Sequence, residues 1–151
     1  MARATYIEPS LDEWLNRFHF TTEIKVRLSE TDMSGHVNNT SYFVYFEQAR
    51  TEYLNSLGFY QGDVRAVTAD LLCHFHGEAF FPSTLVVGVR AAKLGNKSID
   101  LEYYIKSSVD QKLVATGRGA LVIMDKKTKQ STLIPEYIRK EIGMREKFDL
   151  V

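Results

Sequence analysis

Alternating hydrophobic and polar residues predict a strand from residue 22 to residue 29. Every second position in this stretch is apolar, which is the period of a strand with one buried face. These positions are Ile24, Val26 and Leu28. Before the strand, Ser10 and Glu13 have the spacing of a capping box, so they predict a short helix over residues 11–18. We expect this helix to pack on the outside of the domain.

A much wider apolar arc extends from Asn39 to about Leu57. Projected on a helix, the arc covers roughly half of the circumference, which is wider than the stripe of an ordinary surface helix. Its members are Tyr42, Phe43, Tyr45, Phe46, Ala49, Tyr53, Leu54 and Leu57. The pattern predicts a helix wrapped by a sheet. Arg50 falls inside the arc and Glu47 on its edge, so they are predicted to form an ion pair that limits the cost of burying a charge.

Four further strands are predicted after this helix, with no second long helix between them. They cover residues 67–75, 84–94, 98–106 and 113–124. The turn pair Gly95-Asn96 joins the second of them to the third as a hairpin. A final short helix is predicted over residues 136–144, with Pro135 at its start. One strand, one buried helix and four antiparallel strands indicate an α+β fold with the sheet curled around the helix.

The loop before the long helix consists of small polar residues that favour turns and helix caps. It reads DMSGHVNN and contains Asp32, Ser34, Gly35, His36 and Asn38. The first N–H groups of a helix have no acceptor within the helix, so a helix that begins near Asn39 offers donors to an oxygen that acquires negative charge. Asp32 lies a few residues upstream and supplies a carboxylate. This junction is therefore the candidate catalytic site.

The same loop, followed by Tyr42, Tyr45, Glu47, Ala49 and Arg50, resembles the hotdog-fold thioesterases. The likeness is to the 4-hydroxybenzoyl-CoA thioesterase-like acyl-CoA hydrolases, and more weakly to plant acyl-carrier-protein thioesterases. The resemblance implies one hotdog domain over residues 1–151, with short helical extensions at both ends. It also implies a homodimer or homotetramer with the substrate channel at the subunit interface. A lone domain would leave sheet edges unpaired, which is a physical reason for a dimer.

Roles for individual residues follow from the resemblance. Asp32 would be the nucleophile or general base, and the backbone N–H of Asn39 would polarise the thioester carbonyl. His36 would orient the thioester or bond Asp32, with a backbone-bonding loop residue as the structural alternative. Glu47 is the alternative catalytic carboxylate. Candidate substrate contacts are Gly35, Asn38 and Tyr42. Their structural alternatives are a turn conformation for Gly35, a helix cap for Asn38 and a core position for Tyr42. Plant relatives place an asparagine where this chain has Ser34, which argues against Ser34 taking the role of that asparagine. No base is spaced to activate Ser34 as a nucleophile, which argues against a serine-hydrolase mechanism.

The expected reaction is hydrolysis of an acyl-CoA to a carboxylic acid and free CoA. The phosphates of coenzyme A need cations, and Arg90, Lys93 and Lys97 are the candidates near the predicted hairpin. Taken singly, each of them is better explained as a solvated surface charge, and together they could serve an acidic acyl-carrier protein. A fold does not establish turnover, so an acyl-CoA-binding protein without catalysis is a further alternative.

Composition narrows the remaining possibilities. The 151 residues, 44% of them hydrophobic, suit one domain, and 19 basic against 19 acidic residues argue against binding to nucleic acid or an anionic membrane. The single cysteine, Cys73, allows no intrachain disulfide and suits the cytoplasm. His74 and His76 share a strand face but lack a third ligand, so we expect no metal and no separate cofactor. No apolar run approaches the ~20 residues that span a membrane.

Overall fold

A five-stranded antiparallel sheet organises the chain in the computed structural model, which describes residues 4–148. The strands are β1 (Phe20–Lys25), β2 (Val64–Phe75), β3 (Thr84–Leu94), β4 (Ser98–Ser107) and β5 (Leu113–Asp125). Their order across the sheet is β1-β3-β4-β5-β2, and every neighbouring pair is antiparallel. The first two strands along the chain therefore form the two edges, so the segment between them has to cross the whole sheet.

That crossing segment contains the helix α2 (Asn39–Ser56), which packs on one face of the sheet. Phe46 is fully buried and stacks on Tyr103 of β4, with ring centroids 4.6 Å apart. Gly117 of β5 lies directly beneath Phe46, where a Cβ would come within 2.7 Å of the ring. The absence of a side chain there permits the close approach of helix and sheet. The predicted α+β arrangement of a sheet around one long helix is confirmed.

The opposite face of the sheet is covered by the N-terminal segment. Its helix α1 (Leu11–Leu15) begins at Ser10, whose hydroxyl accepts the Glu13 N–H at 3.2 Å, as the capping-box spacing predicts. Trp14 is fully buried, and its Nε1–H donates to the carboxylate of Glu102 at 2.9 Å. The helix is shorter than predicted, since Phe18 lies beyond its end and packs edge-on against Tyr104.

A third helix, α3 (Glu136–Glu146), covers the part of β3 that β1 leaves unpaired. Strand β1 pairs with β3 only from Thr84 to Val89, so the remainder of that edge needs other cover. Ile138 and Ile142 of α3 are fully buried against the core. The Arg139 guanidinium donates to the Gly95 carbonyl of the β3–β4 hairpin at 2.8 Å.

The prediction for the first strand is wrong at both ends. Strand β1 runs from Phe20 to Lys25, and Leu28, predicted to face the core, starts a 3-10 turn and is 68% exposed. The carboxylate of Glu30 accepts the N–H of Arg27 at 2.8 Å and so closes this turn. The hairpin at Gly95 and the other strand and helix positions agree with prediction to within a few residues. Within residues 4–148, none of the helices is long and apolar enough to cross a membrane.

Candidate active site

The loop that carries Asp32 is a tight turn closed by its own backbone. The Asp32 N–H donates to the His36 carbonyl at 2.8 Å, and the Gly35 N–H donates to the Asp32 carbonyl at 3.1 Å. Gly35 has a φ of 86°, a left-handed conformation that residues with a Cβ adopt only at a cost. Gly35 therefore has the turn conformation that was its structural alternative, and it shapes the turn that carries Asp32.

Three other parts of the fold hold this turn in place. The Val37 N–H donates to the Ala79 carbonyl at 2.8 Å, which docks the loop on the β2–β3 connection. The Asn38 N–H donates to the Glu30 carbonyl at 2.8 Å, and the Tyr45 hydroxyl donates to the Glu30 carboxylate at 3.0 Å. Glu30 thus joins the 3-10 turn after β1, the loop and α2. Sequence reasoning missed Glu30, although its spacing of three residues from Arg27 is the one usable signal.

The carboxylate of Asp32 is exposed and held on one side by Ser34. Both the N–H and the hydroxyl of Ser34 donate to Asp32 Oδ1, at 2.9 and 2.6 Å. The Ser34 hydroxyl, followed by its backbone N–H, keeps the pKa of the Asp32 carboxyl below its usual value, because hydrogen bonds to the charged form stabilise it. Neither Ser34 contact involves Oδ2. Ser34 therefore orients the carboxylate, and its own hydrogen is already engaged.

His36 is held at both ring nitrogens. Nδ1 lies 3.5 Å from the Ser34 hydroxyl oxygen, and Nε2 lies 3.5 Å from Oε2 of Glu78 on the β2–β3 connection. The ring of Phe80 packs edge-on against the imidazole, with centroids 4.8 Å apart. In the described part of the chain the imidazole forms no direct hydrogen bond with the Asp32 carboxylate, because Ser34 lies between them. Glu78 was not among the sequence candidates.

The N-terminus of α2 leaves one donor available. The side chain of Asn38 accepts both the N–H and the hydroxyl of Thr40, at 3.0 and 2.9 Å, and its carbonyl accepts the Ser41 N–H. The predicted helix cap at Asn38 is thus present. Among the hydrogen bonds within residues 4–148, none has the Asn39 N–H as its donor. In the described part of the chain this N–H is therefore an unused donor at the positive end of the helix dipole.

Glu47 and Tyr42 have clear structural roles in the single chain. Glu47 is exposed and lies 3.8 Å from the buried Arg50, which forms the ion pair that the sequence predicts. It follows Asn39 by eight positions, which is roughly 12 Å along a helix at ~1.5 Å per residue. Tyr42 is only 3% exposed and packs against Phe75 of β2. Within one chain, the structure does not bring Glu47 beside the Asp32 turn.

The predicted cation cluster does not form as expected. Arg90 is buried on the outer face of the sheet, where its guanidinium pairs with Glu102 and lies 3.9 Å from Glu146. The prediction of Arg90 as an exposed phosphate contact is wrong, because α1 and α3 cover this position. Lys93 and Lys97 are exposed near the β3–β4 hairpin. Strand β3 spans 11 residues, or roughly 33 Å at ~3.3 Å per residue, and separates these lysines from the Asp32 end of the same chain.

A cavity of about 550 Å³ opens beside the Asp32 turn. It lies between the β2–β3 connection and the β4–β5 turn. Glu78 and Phe80, which contact His36, line it on one side, and Leu113 and Lys112 line it on the other. Its wall is thus partly apolar and carries charges of both signs. Glu78, Ala79 and Phe80, which contact the Asp32 turn, border the cavity, but none of residues 31–38 lines it.

The two strand histidines belong to a hydrogen-bonded cluster under the N-terminal segment. The Tyr6 hydroxyl lies 2.9 Å from His74 Nδ1 and 2.8 Å from the Thr116 hydroxyl. His76 Nε2 lies 2.8 Å from the same Thr116 oxygen. Burial, followed by the nearby His74, lowers the pKa of His76. Residues 4–148 contain no group of three or more His, Cys, Asp or Glu side chains that could hold a metal ion.

Comparison with known proteins identifies the family of this chain. FadM of Escherichia coli, a long-chain acyl-CoA thioesterase, is 25% identical over 125 residues, which are 80% of this chain and 95% of FadM. YsmA of Bacillus subtilis is 29% identical over 130 residues, 85% of this chain and 88% of YsmA. The crystal structure of a thioesterase from Thermus thermophilus, complexed with coenzyme A and Zn, has a TM-score of 0.76 at 27% identity, and covers 86% of this chain and 96% of that one.

The family model that matches spans most of the chain, from residue 26 to residue 142. This range begins after β1 and includes the Asp32 turn, α2, the other four strands and most of α3. The predicted hotdog thioesterase family, and with it the enzyme class of thioester hydrolases, is confirmed at the level of the family. The chain belongs to the Thioesterase-like superfamily.

Proposed function

We propose that this protein hydrolyses acyl-CoA thioesters to a carboxylic acid and free CoA, with Asp32 as the reacting carboxylate. The observation that carries the proposal is the junction of the Asp32 turn with α2, where an oriented carboxylate and the unused Asn39 N–H belong to one short segment. A thioester needs both an attacking group and a donor for its oxygen. The relatives named above, one a long-chain acyl-CoA thioesterase and one holding coenzyme A, support CoA as the carrier.

Two routes use the same carboxylate. In the nucleophilic route, Asp32 Oδ2 attacks the carbonyl carbon, the C–S bond breaks with its electron pair on sulfur, and a mixed anhydride forms. Water then cleaves the anhydride and restores the carboxylate. In the general-base route, Asp32 takes a proton from water as that water attacks the thioester carbonyl. The C–S bond then breaks with its electron pair on the CoA sulfur, which takes up the proton. In both routes, the Asn39 N–H donates to the carbonyl oxygen as its negative charge develops.

The electrostatics of Asp32 favour the nucleophilic route. A carboxyl whose pKa is lowered by Ser34 is a weak base near neutral pH but remains fully ionised for attack. The measurement that separates the routes is rapid quenching of a single turnover with borohydride, which reduces a mixed anhydride to an alcohol. Mass spectrometry should then find the side chain at position 32 converted from a carboxyl to an alcohol. Unmodified Asp32 throughout the turnover would favour the general-base route.

We further propose that the active unit is at least a homodimer that pairs through the outer edge of β2. This strand has 12 residues and a hydrogen-bonded neighbour on one side only. Along it, Val67, Leu72 and Phe75 are between 37% and 49% exposed. Large apolar side chains that are exposed close together are typical of an interaction surface. An unpaired edge of this length invites pairing with a second strand, and a two-fold axis makes that pairing self-complementary.

This dimer would also bring the exposed lysines to the active site. Antiparallel pairing of two β2 strands places the start of one strand beside the end of the other. The β3–β4 hairpin lies at the end of the sheet where β2 starts, since Val64 pairs with Asp125 and Ser98 with Val122. A second copy would therefore present its Lys93 and Lys97 at the end of the sheet where the first copy holds Asp32. These lysines are candidates for binding CoA phosphates across the interface.

The assembly is tested by placing charge on the pairing edge. Leu72→Lys should convert a dimer to a monomer in light scattering and reduce thioester hydrolysis in parallel. Thr21→Lys, an exposed position on the opposite edge strand β1, is the matched control and should change neither property. A wild-type monomer with full turnover per chain would rule out the shared site.

The substrate class is tested by a panel of acyl-CoA thioesters that differ in chain length and aromatic character. The same acyl groups on acyl-carrier protein test the alternative carrier. Release of free thiol from at least one acyl-CoA is the expected result. Tight acyl-CoA binding without any thiol release would instead support a binding protein. Hydrolysis of carrier-protein substrates alone would show that the acyl group is carried by acyl-carrier protein and not by CoA.

A further inference from the structure

Glu78 extends the Asp32 site beyond the residues that the motif contains. Its carboxylate lies 3.5 Å from His36 Nε2, on the side of the imidazole that faces away from Ser34. The ring therefore lies between a serine that bonds Asp32 and a second acidic side chain. The contacts form an unbroken sequence of side chains from Glu78 through His36 and Ser34 to Asp32 Oδ1.

The Glu78 carboxylate forms an ion pair with His36 when the imidazole carries a hydrogen on both nitrogens. In that form Nε2–H faces Glu78, and Nδ1–H can donate to the Ser34 hydroxyl oxygen, whose own hydrogen goes to Asp32. In this structure the ring is also held by the edge of Phe80, with centroids 4.8 Å apart. The fixed ring directs Nδ1 toward the Ser34 hydroxyl, whose hydrogen bond to Asp32 orients the reacting carboxylate.

We propose that Glu78 is a positioning residue for the hydrolysis, which holds the His36 imidazole so that Ser34 keeps Asp32 in its reactive orientation. The inference rests on the proposed function of Asp32. Glu78 does not touch the reacting atoms and acts only through His36. Catalytic geometry is sensitive to such supporting contacts, because a small misplacement of the reacting group lowers the rate sharply.

The fold around Glu78 does not depend on its side chain. The carboxylate is 62% exposed, and its contact within residues 4–148 is the one with His36. The backbone at this point is fixed independently by the Val37 N–H to the Ala79 carbonyl and by the antiparallel bridge between His36 and Phe80. A different side chain at position 78 would therefore leave the loop in place. This separation makes the role of the carboxylate testable.

The first experiment measures steady-state hydrolysis of the best acyl-CoA from the panel. Glu78→Gln should lower kcat by about tenfold, a usual effect of losing a supporting carboxylate, while KM and the melting temperature stay nearly unchanged. Glu78→Asp should recover part of the rate, because it retains the charge. Glu141→Gln, an exposed glutamate on α3, is the matched control and should behave as wild type.

A double-mutant cycle then tests whether Glu78 acts through His36. In a His36→Ala background, Glu78→Gln should cause no further loss of kcat, since the residue through which it acts is gone. Equal losses in both backgrounds would overturn the proposal, as would a rise in KM with kcat unchanged, which would make Glu78 a substrate contact. Full activity of Glu78→Gln would overturn it as well.

A measurement that needs no turnover separates this proposal from the proposed function. The ¹⁵N signals of the His36 imidazole should change in Glu78→Gln and stay as in wild type in Glu141→Gln. Unchanged signals in both variants would overturn the positioning role, whatever the activity. If wild-type protein releases no thiol from any substrate, the proposed function fails and the catalytic role of Glu78 fails with it, even where the signals show the contact.

Discussion

Replacing Asp32 by asparagine tests the central chemical assignment with little change of shape. The asparagine side-chain oxygen can still accept the two Ser34 hydrogen bonds that reach Oδ1, at 2.9 and 2.6 Å in the wild type. The turn should persist, because its closing bonds from Asp32 to His36 and from Gly35 to Asp32 are made by the backbone. What the variant loses is the negative charge of the carboxylate and its ability to attack or to accept a proton.

The expected loss of turnover is large. Removing a positioned general base costs about 10²- to 10⁴-fold in rate, and removing a nucleophile costs no less. Asp32 is exposed in the single chain, so the melting temperature should change by no more than about 2 °C, as for other surface substitutions in a chain of this size. Free CoA is followed with a thiol reagent, and folding by thermal melts on the same samples.

A matched control keeps this test specific. Asp12 is also exposed, but it lies in the first turn of α1, on the face of the sheet opposite α2. Asp12→Asn should therefore retain full turnover. If Asp32→Asn loses less than about tenfold in kcat, Asp32 is neither nucleophile nor base and the reasoning from the turn geometry is wrong.

Three further predictions concern the substrate, the buried charges and metals. Lys93→Gln combined with Lys97→Gln should raise KM for acyl-CoA with little change in kcat, whereas Lys140→Gln should not; an unchanged KM would remove these lysines from the site. Burial raises the pKa of Glu146 from 4.5 to about 7, so the folded state binds more protons than the unfolded chain in that window and stability should fall as pH rises from about 4.5 to 7. Relative to Glu146→Gln, the wild-type melting temperature should decline over that range and then level off, and a pH-independent difference would contradict this. Hydrolysis should survive exhaustive chelation, and its loss on chelation with recovery by one added metal would overturn that expectation.

The sequence predicted correctly those strands and helices whose positions depend on residues close together in the chain. Strand β4 follows from period-two alternation, the hairpin before it from the turn pair Gly95-Asn96, and α2 from its apolar arc. The end of β1 did not follow, because alternation continues through Leu28 while the chain has already turned. A side-chain bond from Glu30 to the Arg27 N–H makes that turn, and hydropathy contains no signal for it.

The candidate site likewise has a part that the sequence predicts and a part that it does not. The motif contains Asp32, Ser34 and His36, which are close in sequence and therefore stay close in the fold. Glu78 enters the site from a connection more than forty residues away, which a single sequence does not reveal. Arg90 was misplaced for a similar reason, since its burial depends on two terminal helices that pack on the sheet from distant parts of the chain.

In the mechanism proposed above, the anchoring of the Asp32 turn keeps the reacting carboxylate in place before the substrate binds. A flexible loop would have to be ordered at each turnover, and that cost would be taken from the binding energy of the substrate. Here the turn is bonded to the β2–β3 connection through Val37, and to the 3-10 turn after β1 through Asn38 and Glu30. Tyr45, in the second turn of α2, holds Glu30 by a hydrogen bond to its carboxylate. The carboxylate and the Asn39 N–H therefore keep a set separation before substrate arrives, which is the condition under which a fixed donor stabilises a developing charge without reorganisation.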